Sequence, residues 1–346
     1  MDNTAVINSL TTRASRVTAC VHTHPDGDAI GSGLALVSYM TECRGADIVL
    51  IVPDRIPDSL AFMLKGFPGN SIMVFDEDPD AAAERIGCSD LIFCLDCSSF
   101  SRTDPRMETL LKASTASKVL IDHHLNPDMA SFDAVFSETE VSSTCELLHS
   151  ILKEMPDICG DSGRLPSRCR DSLLTGMTTD TNNFSNSVTP GTLTMASELI
   201  AAGVDRDRIL QDLYNNFREN RLRLMGHMLL NKLEITPEGV AFMILGEEDQ
   251  KRFDFRQGEA EGFVNLPLAI ANVKMSIMLT QEEDRFRVSI RSKDGVSANA
   301  CAMKHFSGGG HEKAAGGRLL FPEDIASPED ARAYILKVTK EFFDNR

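Results

Sequence analysis

Tryptophan is absent from this 346-residue chain, and tyrosine occurs only three times. An extended platform for stacking nucleic-acid bases is therefore excluded, although 18 phenylalanines leave room for one or two stacks. No stretch approaches the roughly 18 uncharged apolar residues that a membrane span needs. The opening MDNTAVINSLTTRASRV also lacks an apolar core of signal-peptide length. The expectation is a cytoplasmic protein with no membrane partner. Basic charge is scarce as well: 35 Lys and Arg stand against 51 Asp and Glu, a formal net charge of −16. Proteins that track long nucleic acid carry a broad basic surface. No long duplex is expected as a partner, and any nucleotide ligand should be small and locally gripped. The acid excess permits a carboxylate-lined metal site.

Nine cysteines, an odd number scattered through apolar segments, fit reduced buried thiols and not a disulfide framework. Cys94 and Cys97 have C-x-x-C spacing, but a zinc site of that kind needs a second pair and none is present. They read as small residues on and after a buried strand. The composition is otherwise that of a globular protein, 42% hydrophobic and 25% charged. At this length two cores are expected.

The first half alternates short apolar runs with helical patterns, the signature of βαβ units and a parallel sheet. Strands are predicted at 17–21, 47–52, 71–75, 90–95, 118–121 and 132–136. Helices are predicted at 31–40, 81–86, 143–153 and 167–177. Residues 190–233 show apolar positions at three- and four-residue spacing and read as all-helical. Beyond them, strands at 240–245, 273–280 and 285–291, with helices near 297–306 and 327–344, predict a smaller mixed-sheet α/β domain. The expected division is 1–188, a helical connector at 189–233, and 234–346, with an active site in the cleft between the domains.

The acids and imidazoles carry the functional signal. His22-Thr-His24-Pro-Asp26-Gly-Asp28 follows the strand ending at Val21, Asp96 follows LIFCL, and Asp122-His123-His124 follows KVLI. Residues just past the carboxyl ends of parallel strands line the ligand crevice. Asp180 adds a fourth acid after the helical run LLTGM. Each segment alone also fits a turn, a helix cap or a polar loop. Together they form a cluster of carboxylates that would repel itself without cations. Oxygen ligands with one or two imidazoles suit hard or borderline divalent ions, manganese ahead of zinc. Four acidic segments exceed what one ion uses, so two ions sharing a carboxylate is the economical arrangement.

The order H-x-x-P-D-x-D-A-x-G-S, a lone Asp after an apolar strand, D-H-H and T-D-T resembles the four motifs of the DHH phosphoesterase superfamily. The run Phe306-Ser-Gly308-Gly309-Gly310-His311-Glu-Lys-Ala314-Ala315-Gly316-Gly317 resembles the signature of the DHH-associated C-terminal domain. Phe263-Val264-Asn265 and Ile290-Arg291-Ser292-Lys293 are similar to its upstream segments. The similarity covers about residues 15 to 320 and is greatest to the nanoRNase/pAp-phosphatase group. It implies that His22, Asp26 and Asp96 hold one metal. Asp28, Asp96, His123 and Asp180 would hold the other, with Asp96 bridging. His24 is then not a ligand, His124 contacts the substrate phosphate or attacking water, and Asp122 orients the loop. Asp28, Asp96, His123 and His124 are the expected catalytic set. One departure stands out: the family's T-D-T-G-x-F appears here as Thr179-Asp180-Thr181-Asn182-Asn183-Phe184.

Between Arg285 and Arg318 seven basic residues face two acids, a local reversal of charge that suggests an anion site. Arg291, Ser292, Gly309, Gly310 and His311 are the expected substrate contacts. The reaction implied is hydrolysis of short oligoribonucleotides (nanoRNA) and of 3′-phosphoadenosine 5′-phosphate, an exonuclease and phosphatase chemistry in which two Mn2+ ions activate water. The alternatives are a cyclic or linear dinucleotide phosphodiesterase acting on c-di-AMP or pApA, and a nucleotide-binding regulator without catalysis. Pyrophosphatase or exopolyphosphatase activity is disfavoured, because those relatives carry a different C-terminal domain. A homodimer is compatible with the sequence.

Overall fold

Apolar residues in the first half alternate between two buried sheet faces, and this dictates a three-layer arrangement. The computed structural model describes residues 3–344. The chain divides into two compact units, one ending at Asn216 and the other beginning at Phe217. The first contains α1 (Asn3–Arg13), β1 (Arg16–Cys20), α2 (Gly27–Arg44), β2 (Asp47–Val52), β3 (Ile72–Val74), α3 (Pro79–Gly87) and β4 (Leu91–Leu95). It continues with α4 (Pro105–Ala113), β5 (Ser117–Asp122), β6 (Ala134–Ser137), α5 (Thr144–Lys153), α6 (Ser167–Asp180), α7 (Pro190–Ala201) and α8 (Arg206–Tyr214). Its six strands form an all-parallel sheet in the order β3-β2-β1-β4-β5-β6.

Along the strands, Val17, Leu50, Phe93 and Val119 point to one core, shared with Ile30, Leu34, Leu148 and Leu173 of α2, α5 and α6. Cys20, Ile51, Ile92 and Leu120 point to the other, shared with Ala82, Ile86, Met107 and Leu111 of α3 and α4. Both faces being covered is what a parallel sheet requires. The strand order reverses between β1 and β4, which makes the carboxyl ends of that pair the topological switch point.

In the second unit are α9 (Glu219–His227), β7 (Glu234–Ile235), β8 (Val240–Leu245), α10 (Glu247–Arg252), β9 (Met275–Gln281) and β10 (Arg285–Ser292). They are followed by α11 (Ala298–His305), β11 (Gly309–Gly310), β12 (Ala314–Leu320) and α12 (Ala331–Asp344). Its mixed sheet runs β11-β12-β10-β9-β8-β7, with β8 and β9 parallel and the other pairs antiparallel.

The helical stretch at 190–233 is shared between the units. Met195, Leu199, Ile209 and Leu213 of α7 and α8 join the first unit's core, while Leu224 and Met228 join one in the second. α1, α4 and β12 lie where the sequence reading placed no element. α4 packs Met107 and Leu111, with Leu110 partly buried beside them, at helical spacing but over only nine residues, and β12 begins with the small residues AAGG, which carry little strand signal. No helix among the described residues is long and apolar enough to cross a membrane.

Candidate metal centre

Three neighbouring strands and two helices deliver the clustered side chains. His22 lies two residues past β1, Asp96 immediately past β4, and Asp122 closes β5 ahead of His123 and His124. Leu95 pairs with Ile121, so Asp96 and Asp122 leave the sheet side by side. Asp26 caps α2, its Oδ1 accepting from the backbone N–H groups of Asp28 at 3.0 Å and Ala29 at 3.1 Å. Asp28 sits in the first turn of α2, and Asp180 is the last residue of α6. These two helices cross closely: a Cβ added at Gly31 would meet Ser172 O at 2.8 Å, and one at Gly176 would meet Gly27 O at 3.0 Å. The Gly of the D-A-x-G-S pattern thus serves helix packing next to the acids.

His22 Nε2 lies 3.4 Å from Asp96 Oδ2 and 4.0 Å from Asp26 Oδ1. His123 Nε2 lies 3.5 Å from Asp96 Oδ1, 3.7 Å from Asp180 Oδ2 and 3.9 Å from Asp28 Oδ2. Asp96 therefore turns one oxygen toward each of two donor groups. The ligand atoms of His22, Asp26 and Asp96, and likewise of Asp28, His123 and Asp180, fall within 4.8 Å of one another. Atoms that share an ion at about 2.1 Å are spaced roughly 3–4 Å apart, so both groups fit a divalent cation. His22 Nδ1 donates to the Thr23 carbonyl at 2.8 Å, which leaves Nε2 facing the acids, where it can offer a lone pair to a cation once its proton is lost. Asp122 Oδ1 accepts from His124 Nδ1 at 2.8 Å and orients that ring. Its Oδ2 is buried and finds no hydrogen-bond partner among the described residues. His24 turns elsewhere: its backbone N–H donates to Asp54, and its Nδ1 is 3.8 Å from that carboxylate.

The electrostatics describe a pocket short of positive charge. Burial, then the charges of Asp96, Asp180 and Asp26, push Asp28 well above the usual carboxylate range. Burial pushes Asp96 the same way, yet hydrogen bonding to His22 and the charges of His124, His22 and His123 hold it below that range. Burial lowers His22, but the Asp96 hydrogen bond and the charges of Asp26 and Asp96 outweigh it and raise the imidazole to about 9. An oxygen-rich donor set that pulls in protons this strongly suits cations.

One contributor has no signature in the acid-and-histidine pattern. Thr144 Oγ1 donates to Asp96 Oδ1 at 3.0 Å, while its backbone N–H donates to Asp28 Oδ2 at 2.7 Å. Cys145 N–H reaches Asp28 Oδ1 at 3.0 Å. The only local hint is Ser143, which caps α5 by accepting from Glu146 N–H. A capping pattern reports the helix start, not the acids 48 and 116 residues away.

The departure at T-D-T-N-N-F also has a conformational explanation. Asn182 and Asn183 adopt φ values of 46° and 53°, in the left-handed region where Gly is easiest and Asn is among the best tolerated of the other residues. Asn182 stands at the glycine position in a left-handed conformation that glycine also adopts.

In the second unit, β10 alternates strictly, so Arg291 and Ser292 face opposite sides of the sheet. Ser292 is buried and its hydroxyl donates to Val296 O at 2.6 Å. Gly309 and Gly310 are not a free loop: they pair with Gly316 and Ala315. Much of the local basic charge is engaged. Lys313 pairs with Asp294, Lys293 donates to Ile270 O, and Arg285 and Arg287 lie near Glu282. Arg291 donates to the carbonyl of Ile290 at 2.9 Å, and His311 N–H to Ala314 O at 2.7 Å.

The chain belongs to the DHH family of phosphoesterases: residues 16–177 match the DHH family N-terminal domain and residues 238–342 match the DHHA1 domain. Among curated relatives it is similar to the bifunctional oligoribonuclease and PAP phosphatase NrnA of Bacillus subtilis, 26% identical across 86% of this chain and 87% of the relative. It is also similar to the cyclic-di-AMP phosphodiesterase PdeA of Listeria monocytogenes, 27% identical across 88% of this chain but 45% of that longer protein. The structure resembles that of an exopolyphosphatase-related protein from Bacteroides fragilis, with a TM-score of 0.88 and 33% identity, covering 99% of this chain and 96% of the other.

Proposed function

We propose that this protein hydrolyses short oligoribonucleotides and 3′-phosphoadenosine 5′-phosphate with two divalent cations, manganese first among them. The observation that carries the reading is Asp96, whose two oxygens face two separate donor groups. His22, Asp26 and Asp96 would hold one ion, and Asp28, Asp96, His123 and Asp180 the other. When bound, such a pair supplies an acidified water and offsets the charge that builds on the phosphate. The chain's own residues orient. Asp122 holds His124 by Nδ1, which leaves Nε2 to meet a phosphate oxygen or the attacking water. In the second unit Arg291, Gly309, Gly310 and His311 would grip the nucleotide, with Ser292 fixing the turn beneath them. In this reading residues 1–188 form the catalytic domain, 189–233 a helical connector and 234–346 the substrate-binding domain. Nine cysteines, none of them in a disulfide among the described residues, support a reducing, cytoplasmic setting.

The relation to PdeA keeps a dinucleotide phosphodiesterase as the second reading. A panel of pAp, pApA, RNA of two to twenty-four nucleotides (roughly the span from nanoRNA to a chain too long to be locally gripped), c-di-AMP and pyrophosphate, run with Mn2+, decides between them. Release of mononucleotide from pApA and phosphate from pAp is expected. No product from either substrate would sink the proposal, and faster turnover of c-di-AMP would favour the second reading.

A further inference from the structure

We propose that Thr144 is a positioning residue whose hydroxyl sets Asp96, alongside Asp28, for cation binding, an inference that rests on the two-ion reading of this site. Thr144 is fully buried at the first turn of α5. Three donors from this one helix start reach two acids that come from different elements. The backbone N–H groups of Thr144 and Cys145 take both oxygens of Asp28, as a helix N-terminus does for an anion. The Thr144 hydroxyl alone takes Asp96 Oδ1.

The division of labour matters because the terminal torsion of an Asp side chain is broad and soft. Asp28 is held by backbone atoms that no substitution at residue 144 removes. Asp96 Oδ1 is also 3.5 Å from both His123 Nε2 and His124 Nδ1, too long for firm hydrogen bonds. The hydroxyl is therefore its short-range anchor at Oδ1 and fixes the carboxylate plane, so that Oδ2 points toward His22. The donor itself cannot drift. Ser143 caps the helix, and the buried Glu146 accepts from Ser142 N–H at 3.0 Å, Ser142 Oγ at 2.5 Å and Thr192 Oγ1 at 2.7 Å, tying the helix start to α7. A group held this firmly transmits its geometry to whatever it touches.

The test compares Thr144→Val, which keeps volume and β-branching but loses the donor, with Thr144→Ser, which keeps the donor. Full-length, metal-stripped protein is titrated with Mn2+ and free ion is followed by electron paramagnetic resonance, with thermal melts of the metal-free chains alongside. Thr144→Val should bind Mn2+ about 10- to 100-fold more weakly, the usual effect of losing a partner that orients a ligand. Thr144→Ser should bind close to wild type, and the metal-free melts should stay close together. Thr144→Ala is included as a second donor-free chain, so a misfolded valine variant still leaves the Ala–Ser comparison. Wild-type affinity in the donor-free chains, or a loss in Thr144→Ser as large as theirs, overturns the inference. Wild-type protein that binds no Mn2+ overturns the two-ion reading itself, a separate result.

Discussion

Asp96 stands directly after β4 with φ of 53°, in the left-handed region that Asp and Asn enter more readily than other residues with a Cβ. Its backbone N–H still donates to Ile121 O at 3.1 Å, so the turn follows without a break in pairing. Asp96→Asn keeps that backbone while removing the charge. It should fold normally and lose phosphoesterase activity by more than about 100-fold, beyond the usual cost of losing an outer partner, as read by turnover of pApA in Mn2+. At Asn182 the logic inverts. Asn182→Gly should match or exceed wild-type melting, while Asn182→Val should cost about 1–2 kcal/mol by denaturant titration. His149 lies away from the acids, on α5. Burial lowers its pKa to about 4, with the opposing pull of Glu198 too weak to restore it. Between pH 6.5 and 4 the unfolded chain then binds the extra proton, so stability falls as pH drops through that window, by up to roughly 3 kcal/mol. Urea titrations at pH 7 and pH 5 should show a smaller difference in His149→Gln than in wild type.

At the scale of elements, the site depends on how α2 crosses α6. Gly31 and Gly176 let the two backbones approach, and Asp28 and Asp180 ride on the facing ends of the pair. Gly176→Ala should destabilise by roughly 1–3 kcal/mol through overpacking against Cys145, and a lowered melting temperature would register it. The alternation of β1, β2, β4 and β5 was legible because both faces of each strand are apolar, and the acids declared themselves by falling where those runs stop. Hidden from the sequence were features that depend on distant partners. α4 is short, with three anchors at helical spacing, and β12 opens on small residues with little strand signal. Ser292 turns inward because β10 alternates, which its neighbourhood of basic residues disguised. Thr144 reaches Asp96 only after β4 and α5 have been brought together by the fold.

For the whole molecule, the buried pocket and its clustered carboxylates raise both Asp28 and His22 above their ordinary values. Any cation that enters should stabilise the folded chain by mass action, about 2.7 kcal/mol per site at a hundredfold excess over Kd. Mn2+ should therefore raise the melting temperature of wild type and leave Asp96→Asn nearly unmoved. An equal rise in both would mean that the ion binds elsewhere.

Asp28 is clasped by residues 116 positions downstream, and Asp180 closes the set later still. A polypeptide emerging from the ribosome thus carries most of the coordinating groups for a long interval with nothing to gather them. In the two-ion reading, metal loading waits until α6 has cleared the exit tunnel, a point reached only after about half of the 346 residues are made, and a truncated product ending before Asp180 would lack one of the acids proposed to hold an ion.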